Sequence, residues 1–522
     1  MSTTYEVLVV GAGPTGLMLA NWLARAGVKA LVVDDKPGPV NESRALGVQA
    51  RTMETYDMLG LGQKALTEGI KARGAAVWVR RHRVVDAVLA EMGHGLSPHP
   101  YLFIMGQDRT ERLLLDDLRR HGGEVTYQTS VVSLRQDEAR VTAEIRHPDG
   151  REETVEARYA CGCDGASSLV REALGLGFEG GTYPHRFFVA DVVADGPLGE
   201  GELGLCATEL GSLAFFPMPG DRHYRIVGIV PPIAADDPEP GLESVRENVA
   251  RDSGMIIRDC GWFATYRVHH RVADAFRRGR VFLLGDAGHI HSPVGGQGMN
   301  TGLMDAANLG WKLGAVMRGA ADARVLDSYE PERLPFARRL VATTDEVFSF
   351  VVSTRSWISR LRTALMPLGF GIATHLPFLR RELFGLISQT RIAYHDSPLS
   401  QGRAGGVRAG DRLPWVRWAD GASNYDALRL LRPHLQVYGE VPAEVEAFAA
   451  AHPGLPLVTL PGGEEARAAG LAPGALYMIR PDGYVAYATA SFDAEAFMAY
   501  LQTAWGATPE TLALADFAGS RL

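Results

Sequence analysis

Val7-Leu8-Val9-Val10-Gly11-Ala12-Gly13-Pro14-Thr15-Gly16 is an unbroken apolar run that turns directly into three glycines at GxGxxG spacing. Four apolar residues without polar alternation are what a central parallel strand, covered on both faces, requires. Beyond the glycines Leu19, Trp22, Leu23 and Ala26 recur at helical spacing until Gly27 ends the helix. Ala30 to Val33 then supplies a second strand, so a βαβ unit is expected with Asp34 at its tip. In such a unit Gly11 permits the tight turn, Gly13 lets the backbone approach a pyrophosphate, and Gly16 allows close helix packing. The helix N-terminus adds free N–H groups, and Asp34 is placed to accept from a ribose hydroxyl, with Pro14, Thr15 and Asp35 flanking. The unit predicts dinucleotide binding and does not by itself separate FAD from NAD(P)H.

Two distant segments carry the same kind of punctuation. Tyr159-Ala-Cys161-Gly-Cys163-Asp164-Gly165-Ala-Ser-Ser-Leu-Val-Arg171 reads as a short strand, an Asp-Gly turn and a helix. Arg280-Val-Phe-Leu-Leu-Gly285-Asp286-Ala-Gly288-His289-Ile-His291-Ser-Pro293-Val-Gly295-Gly296-Gln-Gly298-Met299-Asn300 begins as a buried strand and ends at a helix. That helix continues through Leu303, Ala306, Leu309 and Leu313, which places Gly298, Met299 and Asn300 at its N-terminus, behind a glycine-rich loop. Such a start favours developing negative charge, and that many glycines carry an entropy cost that needs a reason.

The three motifs, in this order and at these separations, resemble the single-component FAD-dependent aromatic hydroxylases, the group A flavoprotein monooxygenases related to para-hydroxybenzoate hydroxylase. The phenol and aromatic polyketide hydroxylases are the nearest branch, and the likeness covers roughly residues 1 to 400. It implies that Gly11, Gly13 and Gly16 hold the FAD pyrophosphate, Asp34 the adenosine ribose and Asp286 the ribityl chain. Arg44 resembles a flavin-contacting arginine, Gln107 an FAD-binding glutamine, and Asp164 with Gly165 a turn associated with both FAD and NAD(P)H. Pro293 and Gly296 would lie beside the flavin ring, with the N–H groups of residues 298–300 facing its N1/C2 region. Asp34 departs from the commoner Glu, and Gly288 stands where Ala is usual.

The remaining chain fits the resemblance. Phe187 to Val193, Ser212 to Met218 and Tyr224 to Val230 read as strands between Gly/Pro/Asp turns. The fold expected is therefore α/β: a Rossmann-like FAD-binding domain (1–175 and 275–395, the latter with a helical segment), with an inserted β-sheet substrate domain (176–274) to which 76–105 adds strands. Trp357, Ile358, Leu361, Leu365 and Leu368 form an apolar stripe that reads as packing. Past Gly405-Gly406 the order βαβαββα over 400–522, with Arg480-Pro-Asp-Gly483, resembles the thioredoxin-like C-terminal domain of the same hydroxylases. No cysteine lies beyond Cys260, so dithiol chemistry is excluded there.

Composition narrows the function class. In 522 residues, 53 Lys+Arg against 61 Asp+Glu leave a net charge of -8, which with 46% hydrophobic and 22% charged residues argues against polyanion binding and disorder. Only five of the basic residues are lysines, which fits a GC-rich coding bias better than a nucleic-acid surface. Four cysteines without CxxC spacing suit a reducing compartment. The start shows no signal-peptide pattern, and the uncharged stretch Thr363 to Leu379 is interrupted and shorter than the ~20 residues a membrane helix needs. A cytoplasmic protein is expected, with no nucleic-acid or membrane partner and a homodimer left open. His289 and His291 lack a third ligand nearby, so no metal site is expected.

The activity the resemblance implies is hydroxylation of a phenolic or polycyclic aromatic substrate through a flavin C4a-hydroperoxide, using NAD(P)H and O2. Candidate substrate-wall residues are Tyr101, Phe103, Phe263 and Tyr266, with Tyr224 or His269 as a base. Baeyer-Villiger-type insertion beside a ketone uses the same scaffold, a dehydrogenase or oxidase would incorporate no oxygen, and a non-enzymatic flavin-binding regulator is the reading from another class. Trp415-Val-Arg-Trp418 is not the flavin-halogenase signature and falls in the wrong domain.

Overall fold

The computed structural model describes residues 3–517 except 41–44, 80, 209–210, 232–236, 238, 293–295, 353–368, 370 and 373–375. The apolar stripe from Trp357 to Leu368 lies outside the described residues. Four parallel strands form the heart of a seven-stranded sheet, in the order Ala30–Val33, Thr3–Val10, Glu152–Gly162, Val281–Leu283. Val7 to Val10 are almost wholly buried, as a strand covered on both faces must be. The helix Pro14–Arg25 packs against the long helix Gly298–Met317, where Gly310 and Gly314 let the two come close: a Cβ on either would lie 2.5 Å from Trp22 Cβ or 2.8 Å from Ala26 Cβ.

An eight-stranded, mostly antiparallel sheet is built from Phe178–Asp195, Glu202–Thr208, Gly211–Pro217, His223–Ile229, Ile256–Ala273 and His289–Ile290. Its remaining two strands, Gly74–Val79 and His82–Val88, come from the stretch before the second half of the nucleotide domain. The helix Glu243–Ser253 covers one face through Val245 and Val249. A six-stranded sheet with the helices Ala443–Ala451, Glu464–Ala468 and Ala494–Tyr500 makes the thioredoxin-like C-terminal domain. Among the described residues no helix is long and apolar enough to cross a membrane.

The C-terminal domain is not an appendage. Its Trp505 packs on Trp311 with ring centroids 5.2 Å apart, and Phe517 on Trp22 at 6.5 Å, so its core runs into that of the nucleotide domain. Charges are buried at the same junction. Arg480 reaches Glu332 with Nη1 at 2.7 Å and Nη2 at 3.0 Å, and pairs with Asp482 at 2.6 Å, while Lys312 Nζ lies 2.8 Å from Glu332. Asn308 and Ser397 also donate to Glu332. Arg51 bonds the Asp482 carbonyl, and Arg412 bridges Glu54, the Leu96 carbonyl and the Thr390 carbonyl. The Arg-Pro-Asp-Gly turn is therefore the clasp between domains. Burial alone would raise the Glu332 carboxyl, but Arg480 and then Lys312 outweigh it and hold it well below the usual carboxylate range. Burial lowers Lys312 to about 8 against the pull of Glu332.

Removing one charge from this cluster strands the others, which costs about 3–5 kcal/mol in buried pairs. Glu332→Gln is expected to lose that much stability at neutral pH. Because the folded carboxyl lies below its unfolded value of about 4.3, its contribution is full above that pH and fades as pH falls through the depressed value. Denaturant melts of both proteins across pH 3 to 7 check this, the gap narrowing only at the acid end.

Candidate active site

All four parallel strands end on one edge, and that edge gathers the three motifs. Val10 lies opposite both Val33 and Gly162 in register, and Gly162 opposite Leu283. The chain therefore emerges there four times: at Gly11, Asp34, Cys163-Asp164-Gly165 and Leu284-Gly285. The Gly11 N–H donates to the Val33 carbonyl at 2.8 Å, Cys163 N–H to the Val10 carbonyl at 2.7 Å and Leu284 N–H to the Gly162 carbonyl at 3.0 Å. The carboxyl edge of parallel strands is where ligands bind in open α/β sheets.

The glycines on this edge divide the work between protein and ligand. Gly11 has φ +99°, and a Cβ there would lie 2.4 Å from the Cys163 carbonyl oxygen. A Cβ on Gly16 would lie 1.9 Å from the Gly11 carbonyl oxygen, so both positions are closed by the chain itself. At Gly13 a Cβ would meet nothing within 4 Å, although its φ of -72° suits any residue. The open space lies above the unpaired N–H groups at the start of the helix, which is the cradle a pyrophosphate requires. Pro14 opens that helix, and Thr15 is packed between Gly285 and Gly302. Asp34 is buried, its carboxylate accepting from Ala12 N–H at 2.6 Å and Lys36 N–H at 2.8 Å, which leaves lone pairs for a hydroxyl. Asp35 is exposed. Asp164 caps the helix Leu169–Ala173, accepting from Ser168 Oγ at 2.6 Å and Val170 N–H at 3.1 Å, with Gly165 at φ +78°. Burial raises the Asp164 carboxyl despite those donors.

The second half of the site lies at the N-terminus of the helix Gly298–Met317. Its first turn has no side-chain cap, so the N–H groups of Gly298, Met299 and Asn300 are not used within the helix. The Asn300 side chain is buried and is a strut: Oδ1 accepts from Gln49 N–H and Thr52 Oγ1, and Nδ2 donates to the carbonyls of Gly47 and Gly296, each at 2.8 Å. Asp305, further along, holds the preceding loop by accepting from Gly285 N–H at 2.9 Å and contacting His289 Nε2 at 2.7 Å. Asp286 is exposed on the one-turn helix Gly285–Ala287. His289 is thus a structural partner of Asp305. His291 differs: its Nδ1 lies 2.8 Å from the Ser292 carbonyl and must donate, which leaves Nε2 a bare acceptor. That Nε2 is sealed from solvent without a partner among the described residues, 3.8 Å from a Cβ built on Gly298, and burial lowers the ring to about 4. Gln107 begins the helix Gln107–Arg120, its N–H on the Ala45 carbonyl and its side chain on Glu111. Arg44 and Pro293 lie outside the described residues.

A cavity of about 130 Å³ lies against the large sheet, lined by Leu46, Ile104 and Arg109 on one side and Asp191, Met218 and Arg225 on the other. Strand parity decides which residues reach it. Arg225 and His223 point into the cavity, so Tyr224 points away, into the cluster with Trp78, Phe215 and Val245. Phe263 stacks on Phe188 at 6.0 Å on that same far face. Tyr266 shares the cavity-side face with Phe187, its ring 6.0 Å away, and burial pushes its hydroxyl up to about 12. Phe103 is in the nucleotide-domain core while its neighbour Ile104 lines the cavity. The Tyr101 hydroxyl is 2.9 Å from His99 Nδ1, whose Nε2 meets Asp57 at 2.6 Å, a buried structural relay. His269 Nδ1 bonds Thr182 across a two-stranded ribbon, and burial, with Arg271 and Arg267, lowers its pKa. Tyr224, Phe263, Tyr101 and Phe103 thus pack rather than face the cavity, and His269 is not among its lining. The sequence reading does not single out Arg225 and Asp191, which line the cavity; period-two alternation through Arg225 carries the signal, but only a known cavity face tells which parity to read.

The FAD binding domain family model matches residues 4–344. The chain is 32% identical over 518 residues to 6-methylpretetramide 4-monooxygenase of Streptomyces rimosus, covering 92% of this chain and 90% of that protein. It is 31% identical over 457 residues to pentachlorophenol 4-monooxygenase of Sphingobium chlorophenolicum, covering 85% and 82%. The solved structure of the anhydrotetracycline hydroxylase from Streptomyces rimosus superposes with a TM-score of 0.77 at 32% identity, over 97% of this chain and all of that one.

The contrast between Gly13 and Gly16 is directly testable. Gly13→Ala is expected to leave the thermal midpoint of the protein stripped of flavin unchanged while weakening FAD binding by about tenfold or more, since a methyl in the cradle displaces a phosphate contact. Gly16→Ala forces the Gly11 turn apart and is expected to lower the thermal midpoint itself. Melting curves with and without added FAD, with flavin fluorescence titration, separate the two.

Proposed function

The chain belongs to the FAD-binding-domain family that contains the aromatic and polyketide monooxygenases, and on that premise we propose that it hydroxylates a phenolic, polycyclic aromatic substrate of polyketide type. It is an FAD-dependent enzyme that uses NAD(P)H and O2. The observation that supports the reading is the open position at Gly13 beside the buried Asp34 carboxylate on the parallel-sheet edge, together with an uncapped helix start at Gly298 and a cavity walled by a separate β-sheet. When bound, FAD takes reducing equivalents from the nicotinamide and supplies oxygen activation.

The chain's own residues do the rest. The helix start after Gly13 and the carboxylate of Asp34 hold the adenosine diphosphate end. The N–H groups of Gly298, Met299 and Asn300, free of a side-chain cap, would hold the flavin ring and would favour negative charge on it. His291 Nε2 offers an acceptor beside them, neutral at working pH. The β-sheet walls one side of the cavity, and Tyr266 on the same face of that sheet stays protonated and able to donate. Tyr224 and His269, placed away from the lining, are not assigned as bases; a phenolic substrate brings its own acidity.

Turnover with NAD(P)H, ¹⁸O2 and a panel from simple phenols to polycyclic phenolic polyketides tests this. Substrate-stimulated NAD(P)H oxidation with one labelled oxygen in the product, on an aromatic carbon by NMR, is expected. Label in a lactone or ester would turn the assignment to Baeyer-Villiger insertion, and stimulation without label to an oxidase.

A further inference from the structure

We propose that Arg333 is a positioning residue for the flavin: one guanidinium ties together both ends of the segment between Gly285 and Thr301, and so sets how tightly FAD is held and how readily it is reduced. The inference concerns the cofactor and stands whichever substrate the enzyme takes. Arg333 is 0% exposed; its Nε donates to Asp305 Oδ1 at 2.6 Å and its Nη2 to the Thr301 carbonyl at 3.2 Å. Asp305 passes the contact on, its Oδ2 accepting from Gly285 N–H at 2.9 Å and lying 2.7 Å from His289 Nε2. The first end is the turn Gly285–Ala287, which presents Asp286, the residue expected at the ribityl chain. The second is the first turn of the helix Gly298–Met317, whose N–H groups have no side-chain cap. Thr301 is held there from two more sides: its hydroxyl donates to the Gln297 carbonyl at 2.9 Å and accepts from Gln389 Nε2 at 2.8 Å.

The two ends meet without slack. Gly285 has φ +58°, and a Cβ on Gly302 would lie 3.2 Å from Gly285 Cα and 2.3 Å from Thr15 Oγ1, so Thr15, from the helix after Gly13, is caught at their junction. Burial alone would raise the Asp305 carboxyl, but Arg333 and then His289 outweigh it, so both oxygens stay acceptors. The third Arg333 nitrogen, Nη1, donates to the Tyr394 hydroxyl at 2.9 Å, and the Tyr394 ring packs on Tyr484 of the C-terminal domain, 4.4 Å away. All three nitrogens are thus committed, which fixes the guanidinium plane and with it the spacing of the two ends. Its neighbour Glu332 differs: it reaches the same helix at Asn308 and Lys312, the nearer of them about two turns past Asn300. A reduced flavin carries more negative charge than an oxidised one, so N–H groups held in place at a helix start favour the reduced form more strongly. Loosening Arg333 therefore weakens the hold on both forms, and on the reduced form most.

The test compares Arg333→Lys with Glu332→Gln in three readouts: the thermal midpoint of the protein stripped of flavin, FAD affinity by fluorescence titration, and the midpoint potential of bound FAD against a reference dye. Lysine keeps a charge for Asp305 but cannot span the three acceptors. Arg333→Lys is expected to weaken binding of oxidised FAD about tenfold and of reduced FAD about a hundredfold, and the tenfold difference lowers the two-electron potential by about 30 mV. Glu332→Gln is expected to destabilise the flavin-free protein while keeping FAD affinity within about threefold of wild type and the potential unchanged. Asp305→Asn loosens the clamp from its other partner; it is expected to follow Arg333→Lys and serves if that variant does not fold. An Arg333 variant with wild-type affinity and potential overturns the proposal, as does one that binds FAD weakly at an unmoved potential. A Glu332 variant that lowers affinity and potential as far overturns it too, because the effect is then one of general stability. None of these readouts involves substrate or oxygen, so their outcome is independent of the hydroxylase assignment.

Discussion

Glu332 and Arg333, neighbours on the helix Tyr329–Val352, face two directions and join what would otherwise be separate parts. Glu332 takes Arg480 from the C-terminal domain and Lys312 from the helix behind the flavin loop. Arg333 takes Asp305 on that same helix at 2.6 Å, and Asp305 in turn holds Gly285 N–H and His289. One turn of helix thus links the C-terminal domain to the loop that holds Gly285 and His289. The cluster is fully buried, so its gain in energy over an apolar core is doubtful in principle; what it supplies is geometry, because each charge has a single set of partners it can satisfy.

This gives the cysteine-free domain a physical role without chemistry. A thioredoxin-like fold stripped of its thiols retains a rigid sheet end, and here the Arg480-Pro-Asp-Gly turn at that end is used as a clasp. Arg412 repeats the device by reaching Glu54 on the helix Ala50–Met58, and Arg51 of that helix returns a bond to the Asp482 carbonyl; the helix begins just after the Gly47 strand that faces Gly296. The strand Gly47–Val48 and the helix after it are therefore braced from behind by contacts between residues far apart in sequence, Arg412 with Glu54 across 358 residues and Arg51 with the Asp482 carbonyl across 431.

Local sequence carries the parts of this architecture that depend on local physics. The apolar run at Val7 to Val10, the glycines after it and the helix start at Gly298 are each dictated by backbone constraints within a dozen residues, and their reading placed them where they stand. Where the expected wall aromatics stand has an equally physical reason: Tyr266 shares the cavity-side face of the sheet, whereas Tyr224 and Phe263 pack on the other. Tyr224 and Arg225 alternate on one strand, and period two says only that they face opposite ways; hydrophobicity favours the tyrosine as the wall residue, but the hydrophobic face is the one that the helix Glu243–Ser253 covers. The cavity face takes the arginine, whose burial a sequence does not announce because its partner, Asp191, is thirty-four residues away. The clasp was illegible for the same reason, since Glu332, Arg333 and Arg480 look like surface charges until the third domain is docked.

The two ends of the site also differ in how firmly they are built, and the difference follows their tasks. At the nucleotide end Gly11, Gly16, Cys163 and Asp34 are locked by short backbone contacts, so this end is ready before any ligand arrives. Beside the start of the helix Gly298–Met317, His291 Nε2 is sealed from solvent and has no partner among the described residues. Preorganised polar groups that pay their desolvation in the free protein bind their targets without further reorganisation, which is how a site favours charge that develops during reaction over charge already present. The locked end suits a cofactor that stays, and the unmatched end suits a substrate and a ring whose charge changes within each turnover.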